Sequence, residues 1–92
     1  MTQAQKIKLY TAIAKQINGK LGYEGVEVLE TPNHGEYCDT VSLYVKDDLY
    51  EELRGEFRIK STIELIYGTF TIGKKQYYIE PYNGTLLNLA VL

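Results

Sequence analysis

Between Gln3 and Leu21 the apolar residues Ile7, Tyr10, Ala14, Ile17 and Leu21 recur at spacings of three and four, Ile13 widens the stripe, and Lys8 and Lys15 fall on the far side. That period predicts an amphipathic helix with one face against a core. Both ends carry stop signals. Thr2 and Gln5 match a reciprocal capping box, and Gly22 fits the left-handed position after the last turn, which the register of Leu21 favours over the earlier exit at Asn18-Gly19. The stripe is too short to sustain a coiled coil alone, so packing on a sheet is the expectation.

The period then shortens. Val26 to Leu29 and Val41 to Val45 read as two strands, the second with Val41, Leu43 and Val45 on one face and Ser42 and Tyr44 on the other. Residues 31–39 form a turn-rich loop between them, which predicts a hairpin with a long connection. Asp48-Leu49-Tyr50-Glu51 is a second capping-box match, and Leu49 and Leu53 stand one turn apart before Gly55. A short helix is expected there, stable only if those two leucines are buried.

From Phe57 onward the reading is extended. Ile63, Leu65 and Tyr67 alternate on odd positions while Phe70 and Ile72 continue on even ones, so the apolar face changes parity near Gly68. A bulge or sharp bend at Gly68, or burial of both faces, would reconcile the two. Residues 69–92 read as a three-stranded meander. Its first turn falls at Gly73-Lys74 or Lys74-Lys75, and either choice places Phe70, Ile72, Tyr77 and Ile79 on one face. Asn83-Gly84 suits a type I′ second turn. That turn would pair Tyr82 with Thr85 and Tyr78 with Leu89, so that Leu87, Leu89 and Val91 share a face with Tyr78 and Tyr82, and Tyr77 and Ile79 one with Leu86 and Ala90. Pro81 has no amide for the ladder and must lie at its end or at a bulge, unless the last segment is not a paired strand.

These elements predict an α+β fold in one domain over residues 1–92. It has an N-terminal amphipathic helix packed on an antiparallel sheet of about five strands, a short second helix in the middle and a C-terminal β-meander.

Composition adds little, with 45% apolar and 24% charged residues, the ordinary values for a globular domain. No eighteen apolar residues follow one another, so no membrane association is expected, and the single cysteine fits a cytoplasmic protein. Charge changes the picture more. The net −2 divides into +4 over residues 1–21, −8 over residues 22–56, where ten carboxylates face Lys46 and Arg54, and +2 over the remainder.

Candidate chemistry is sparse. His34, Glu36, Cys38 and Asp39 lie within six residues, but there is no second histidine and no companion cysteine, so a polar loop is a better account than catalysis or a metal site. Neither phosphate-binding glycine pattern is present. No cofactor, metal site or catalytic residue is expected, and an enzyme is not. The acidic segment interleaves carboxylates with Tyr23, Tyr37, Tyr44 and Tyr50, a combination in which charge steers an encounter and aromatic rings hold it. Alternatively, the acids only solubilise the domain or pair with the basic first helix.

The expected function is therefore a non-catalytic interaction module that docks Tyr44, Asp47, Asp48, Tyr50, Glu51 and Glu52 on a basic partner protein. A nucleic-acid-handling enzyme is one such partner, and the chain would then be a small inhibitor or nucleic-acid mimic of the anti-defence kind carried by phages and mobile elements. The competing expectation is single-stranded nucleic-acid binding through sheet tyrosines with Arg58, Lys60, Lys74 and Lys75, which the acidic balance disfavours. Apolar Ala90-Val91-Leu92 is expected to dock on the core or to make a homodimer with a second copy.

Overall fold

The structure, a computed structural model, describes residues 2–31, 40–83 and 85–92. Helix α1 spans Gln3–Leu21, with the Thr2–Gln5 capping box formed and Gly22 closing it at φ 83°. Its stripe is buried as expected. Tyr10, Ile13, Ala14 and Ile17 sit in the core with Leu9, flanked by half-buried Ile7 and Leu21. Strands β1 (Val26–Thr31) and β2 (Thr40–Val45) pair antiparallel, Val26 opposite Val45. Residues 32–39, the loop with His34 and Cys38, lie outside the described residues.

Helix α2 runs Asp47–Leu53. Leu49 is buried and Leu53 packs against the core, the condition for so short a helix to persist. The capping box expected at Asp48 does not form. The helix begins two residues earlier, Lys46 is the N-cap and no side chain caps it, so Asp47 and Asp48 lie in the first turn, where the helix dipole favours them.

The main correction concerns residues 57–67. They are not extended; Glu56–Tyr67 is a helix, α3. Its buried side is Ile59 and Ile63, continued by half-buried Tyr67, one residue in four. The odd-numbered alternation misled because Ile63 and Tyr67 fit both periods, whereas Leu65 points to solvent at 88% exposure. Gly68, φ 66° and ψ −92°, ends the helix, so the parity change marks a helix giving way to a strand and not a bulge.

The meander follows as β3 (Phe70–Ile72), β4 (Lys75–Asn83) and β5 (Leu86–Val91). Ile72 pairs with Lys75 across Gly73-Lys74. Gly73 has φ 64° and Lys74 has a negative φ, which makes the turn type II′. Phe70, Tyr77 and Ile79 share the buried face, with Ile72 at its margin. Between β4 and β5, Asn83 pairs with Leu86, and the register shifts between Pro81 and Asn83. Tyr82 is the extra residue, so β5 is paired and Pro81 lies at a bulge, one of the outcomes expected for it. The bulge also overturns the expected facing. Ile79 opposes Leu89 and Tyr77 opposes Val91, so Leu87, Leu89 and Val91 share a side with Tyr77 and Ile79, and Tyr78 faces out with Ala90. The expected Asn83-Gly84 turn is also corrected: Asn83 belongs to β4 and pairs with Leu86, so Tyr82 does not pair with Thr85, and Gly84 itself lies outside the described residues.

The five strands form one antiparallel sheet in the order β1-β2-β5-β4-β3. All three helices lie on one face, and a single core of Val26, Val41, Leu43, Val45, Leu87, Ile79, Tyr77 and Phe70 joins them. The β1–β2 hairpin joins the meander along a short seam, where Leu43 pairs with Leu87, Tyr44 pairs with Leu86 and the Val45 N–H donates to Thr85 O at 2.8 Å. Beyond that short seam α1 supplies what β2 does not: the Tyr10 hydroxyl accepts from the Leu89 N–H at 3.2 Å and donates to Asn88 Oδ1.

Candidate protein-docking site

Strand β2 leads through Lys46 into α2, and the alternation along β2 fixes what each expected contact residue does. Leu43 and Val45 point into the core, so Tyr44 points to the outer face of the sheet, opposite Glu27 and Leu86 and away from the helices. Helical periodicity does the same for α2. Leu49 enters the core, Tyr50 and Leu53 lie half-buried against it, and Asp47, Asp48, Glu51 and Glu52 are exposed. Of the six expected residues, the four carboxylates are therefore gathered on one short helix, Tyr50 is part of its footing, and Tyr44 stands on a different face.

Tyr23 joins the four carboxylates instead. It follows Gly22 at the end of α1, and its hydroxyl donates to Glu52 Oε2 at 3.0 Å. Its phenol is held above the ordinary value by partial burial first, then by the hydrogen bond to Glu52 and the charges of Glu52 and Asp48. Tyr23 and Glu52 are 29 positions apart, so no local pattern could have paired them.

The remaining acids of this region are partly neutralised. Lys46 Nζ lies 3.2 Å from Glu24 and 4.0 Å from Glu27. Among the described residues, Asp47, Asp48, Glu51 and Glu52 take part in no ion pair, and neither do Lys6, Lys8, Lys15 and Lys20 of α1. Lys20 instead places its ammonium 5.5 Å from the centre of the Tyr67 ring. The basic first helix therefore does not cancel the acids of α2 by contact.

The residues of the competing expectation are divided between elements. Arg58 and Lys60 sit on α3, where Lys60 lies 3.8 Å from Glu64, and Lys74 and Lys75 are exposed at the β3–β4 turn. Tyr77 is buried, and Tyr44 and Tyr78 face outward from the side of the sheet opposite α3. The expected combination of aromatic platform and flanking cations on one sheet surface does not form from these residues.

Among the described residues, no group of three or more His, Cys, Asp or Glu is placed to hold a metal ion, and no helix is long and apolar enough to cross a membrane. At the C-terminus, Val91 and Leu92 expose 58% and 70% of their surface although the Leu92 N–H is tied to Gln76 O at 2.9 Å. No protein family, curated protein or solved structure matches this chain.

Proposed function

We propose that this chain is a non-catalytic interaction module that docks the acidic face of α2, with Tyr23 beside it, on a basic surface of a partner protein. One observation carries the reading: Asp47, Asp48, Glu51 and Glu52 are exposed on one two-turn helix without an ion-pair partner among the described residues, next to a half-exposed tyrosine bonded to Glu52. Unpaired carboxylates steer the approach of a cation-rich surface, and the ring supplies contact area at small entropic cost. A protein that handles nucleic acid presents such a surface, and against it the chain would act as an inhibitor by occupying the place of the polyanion.

The test is kinetic. With the partner in hand, Glu51→Lys with Glu52→Lys should slow association about tenfold or more at low salt and by much less at high salt, where charge is screened. Unchanged association at low salt, with the circular dichroism spectrum intact, would count against the proposal.

A second reading is supported at the opposite end of the chain. Val91 and Leu92, together with Phe57 at 82% and Leu65 at 88% exposure, are apolar groups left in water, as a dimer contact would leave them in the isolated chain. Sedimentation at several concentrations tests it; a monomer throughout would remove it.

A further inference from the structure

Strand β1 lies at an edge of the sheet, and part of that edge is already filled by a side chain acting as a strand would. The Asn18 amide donates to Val26 O at 2.9 Å and accepts from the Val26 N–H at 3.0 Å, the pair of bonds that a neighbouring strand makes. It takes the Gly25 N–H as well, at 2.9 Å. Backbone groups alternate in direction along a strand, so with Val26 facing outward the N–H and C=O of Val28 and Glu30 face outward too, while Glu27 and Leu29 bond to β2. Among the described residues nothing pairs with those four groups.

The other edge, β3, is only three residues long, too short to serve as a template. β1 has six residues and carries neither proline nor lysine, two of the usual means of blunting an edge. Beside it Thr11, Ala14 and Lys15 of α1 and Val28 of β1 help line an open groove of about 810 Å³.

We propose that this edge takes an extended, basic segment of a partner protein as a sixth strand, bonded to Val28 and Glu30 and stopped at Val26 by Asn18. Charge selects the occupant. Glu27 and Glu30 stand on the strand and Glu24 just ahead of it; Lys46 reaches only Glu24 and Glu27, so with Lys15 across the groove three acids still face two lysines and the edge stays net negative. A second copy paired about Leu29 would crowd the same acids around its two-fold axis, whereas a strand bearing lysine or arginine is drawn to them. The proposal rests on the reading of this chain as an interaction module, and adds where the partner's backbone lies and in what conformation.

The probe is a short acetylated peptide of alternating lysine and valine, titrated at low salt into the isotope-labelled protein. The Val28 and Glu30 amides should shift and exchange more slowly, and the same peptide N-methylated at alternate residues should not bind. Glu30→Pro removes an outward N–H at a position where edge strands accept proline, and should weaken binding about fivefold or more, with Glu30→Gln losing less. Shifts confined to α2 that ignore both Glu30→Pro and N-methylation overturn the edge and leave the proposed function standing. Absence of any shift also overturns the edge, while the α2 reading is judged separately by its charge-reversal kinetics. A concentration-dependent dimer of the protein alone, abolished by Glu30→Pro, assigns the edge to a second copy and equally overturns the proposal.

Discussion

Two side chains of α1 complete the sheet from above: Asn18 on β1, and Tyr10 on β5 where β2 has diverged. Each supplies hydrogen-bond partners to partly buried backbone groups, which are costly to leave under-satisfied. Tyr10→Phe leaves the Leu89 N–H only the Asn88 oxygen, and should lower stability by about 1 kcal/mol in urea denaturation. A pH dependence accompanies it. Burial raises the Tyr10 phenol above its ordinary value, and the Leu89 N–H offsets this only in part. The folded state then holds its proton more tightly than the unfolded chain, so its contribution is intact below about pH 10 and is lost as pH rises past the unfolded value toward the folded one. Urea midpoints should therefore fall on the alkaline side, and less steeply for Tyr10→Phe; identical slopes would mean the phenol ionises freely. The burial of Tyr10 was legible from the helical stripe. Its partners, 78 and 79 positions away, were not, because a local period says nothing about which strand end lies open above it.

At the scale of elements, α1, strands β1 and β2 and the facing of β3 and β4 were readable because each repeats one period between clear stop signals, while the β3–β4 register stayed open between two turns until the pairing of Ile72 with Lys75 fixed it. Residues 57–67 were not, since Ile, Thr, Phe and Tyr favour strands and Ile63 and Tyr67 satisfy periods of both two and four. The two readings differ over Leu65, which an alternating strand buries with Ile63 and the helix turns outward. Leu65→Gln should change stability by no more than about 0.5 kcal/mol, and Ile59→Ala should cost about 2–5 kcal/mol. The reverse ranking in thermal melts would restore the strand. The junction of α1, β1 and α2 offers a second measurement. A methyl group at Gly25 would meet Leu21 Cδ1 at 2.8 Å and Leu49 Cδ2 at 2.9 Å, so Gly25→Ala should cost about 1–3 kcal/mol as both leucines move. Since Leu49 anchors α2, the same variant should also loosen hydrogen-exchange protection in that helix.

For the molecule as a whole, the uneven charge was legible from composition and its placement was not. Among the described residues, acids of the −8 segment 22–56 fall into two groups. In one, Lys46 draws in Glu24 and Glu27 beside the β1 edge; in the other, four carboxylates of α2 stand in solvent beside Tyr23. The sequence placed Tyr44 with the α2 acids because it is near them in the chain, but strand alternation turns it to the far face of the sheet. The central claim is that the α2 carboxylates select a basic protein. It is tested most directly by parallel capture from a lysate of the native host on immobilised wild type and on Glu51→Lys with Glu52→Lys, with bound proteins identified by mass spectrometry. The account expects a basic protein retained at low salt by the wild type and lost from the charge-reversed variant; the same proteins held equally by both would contradict it.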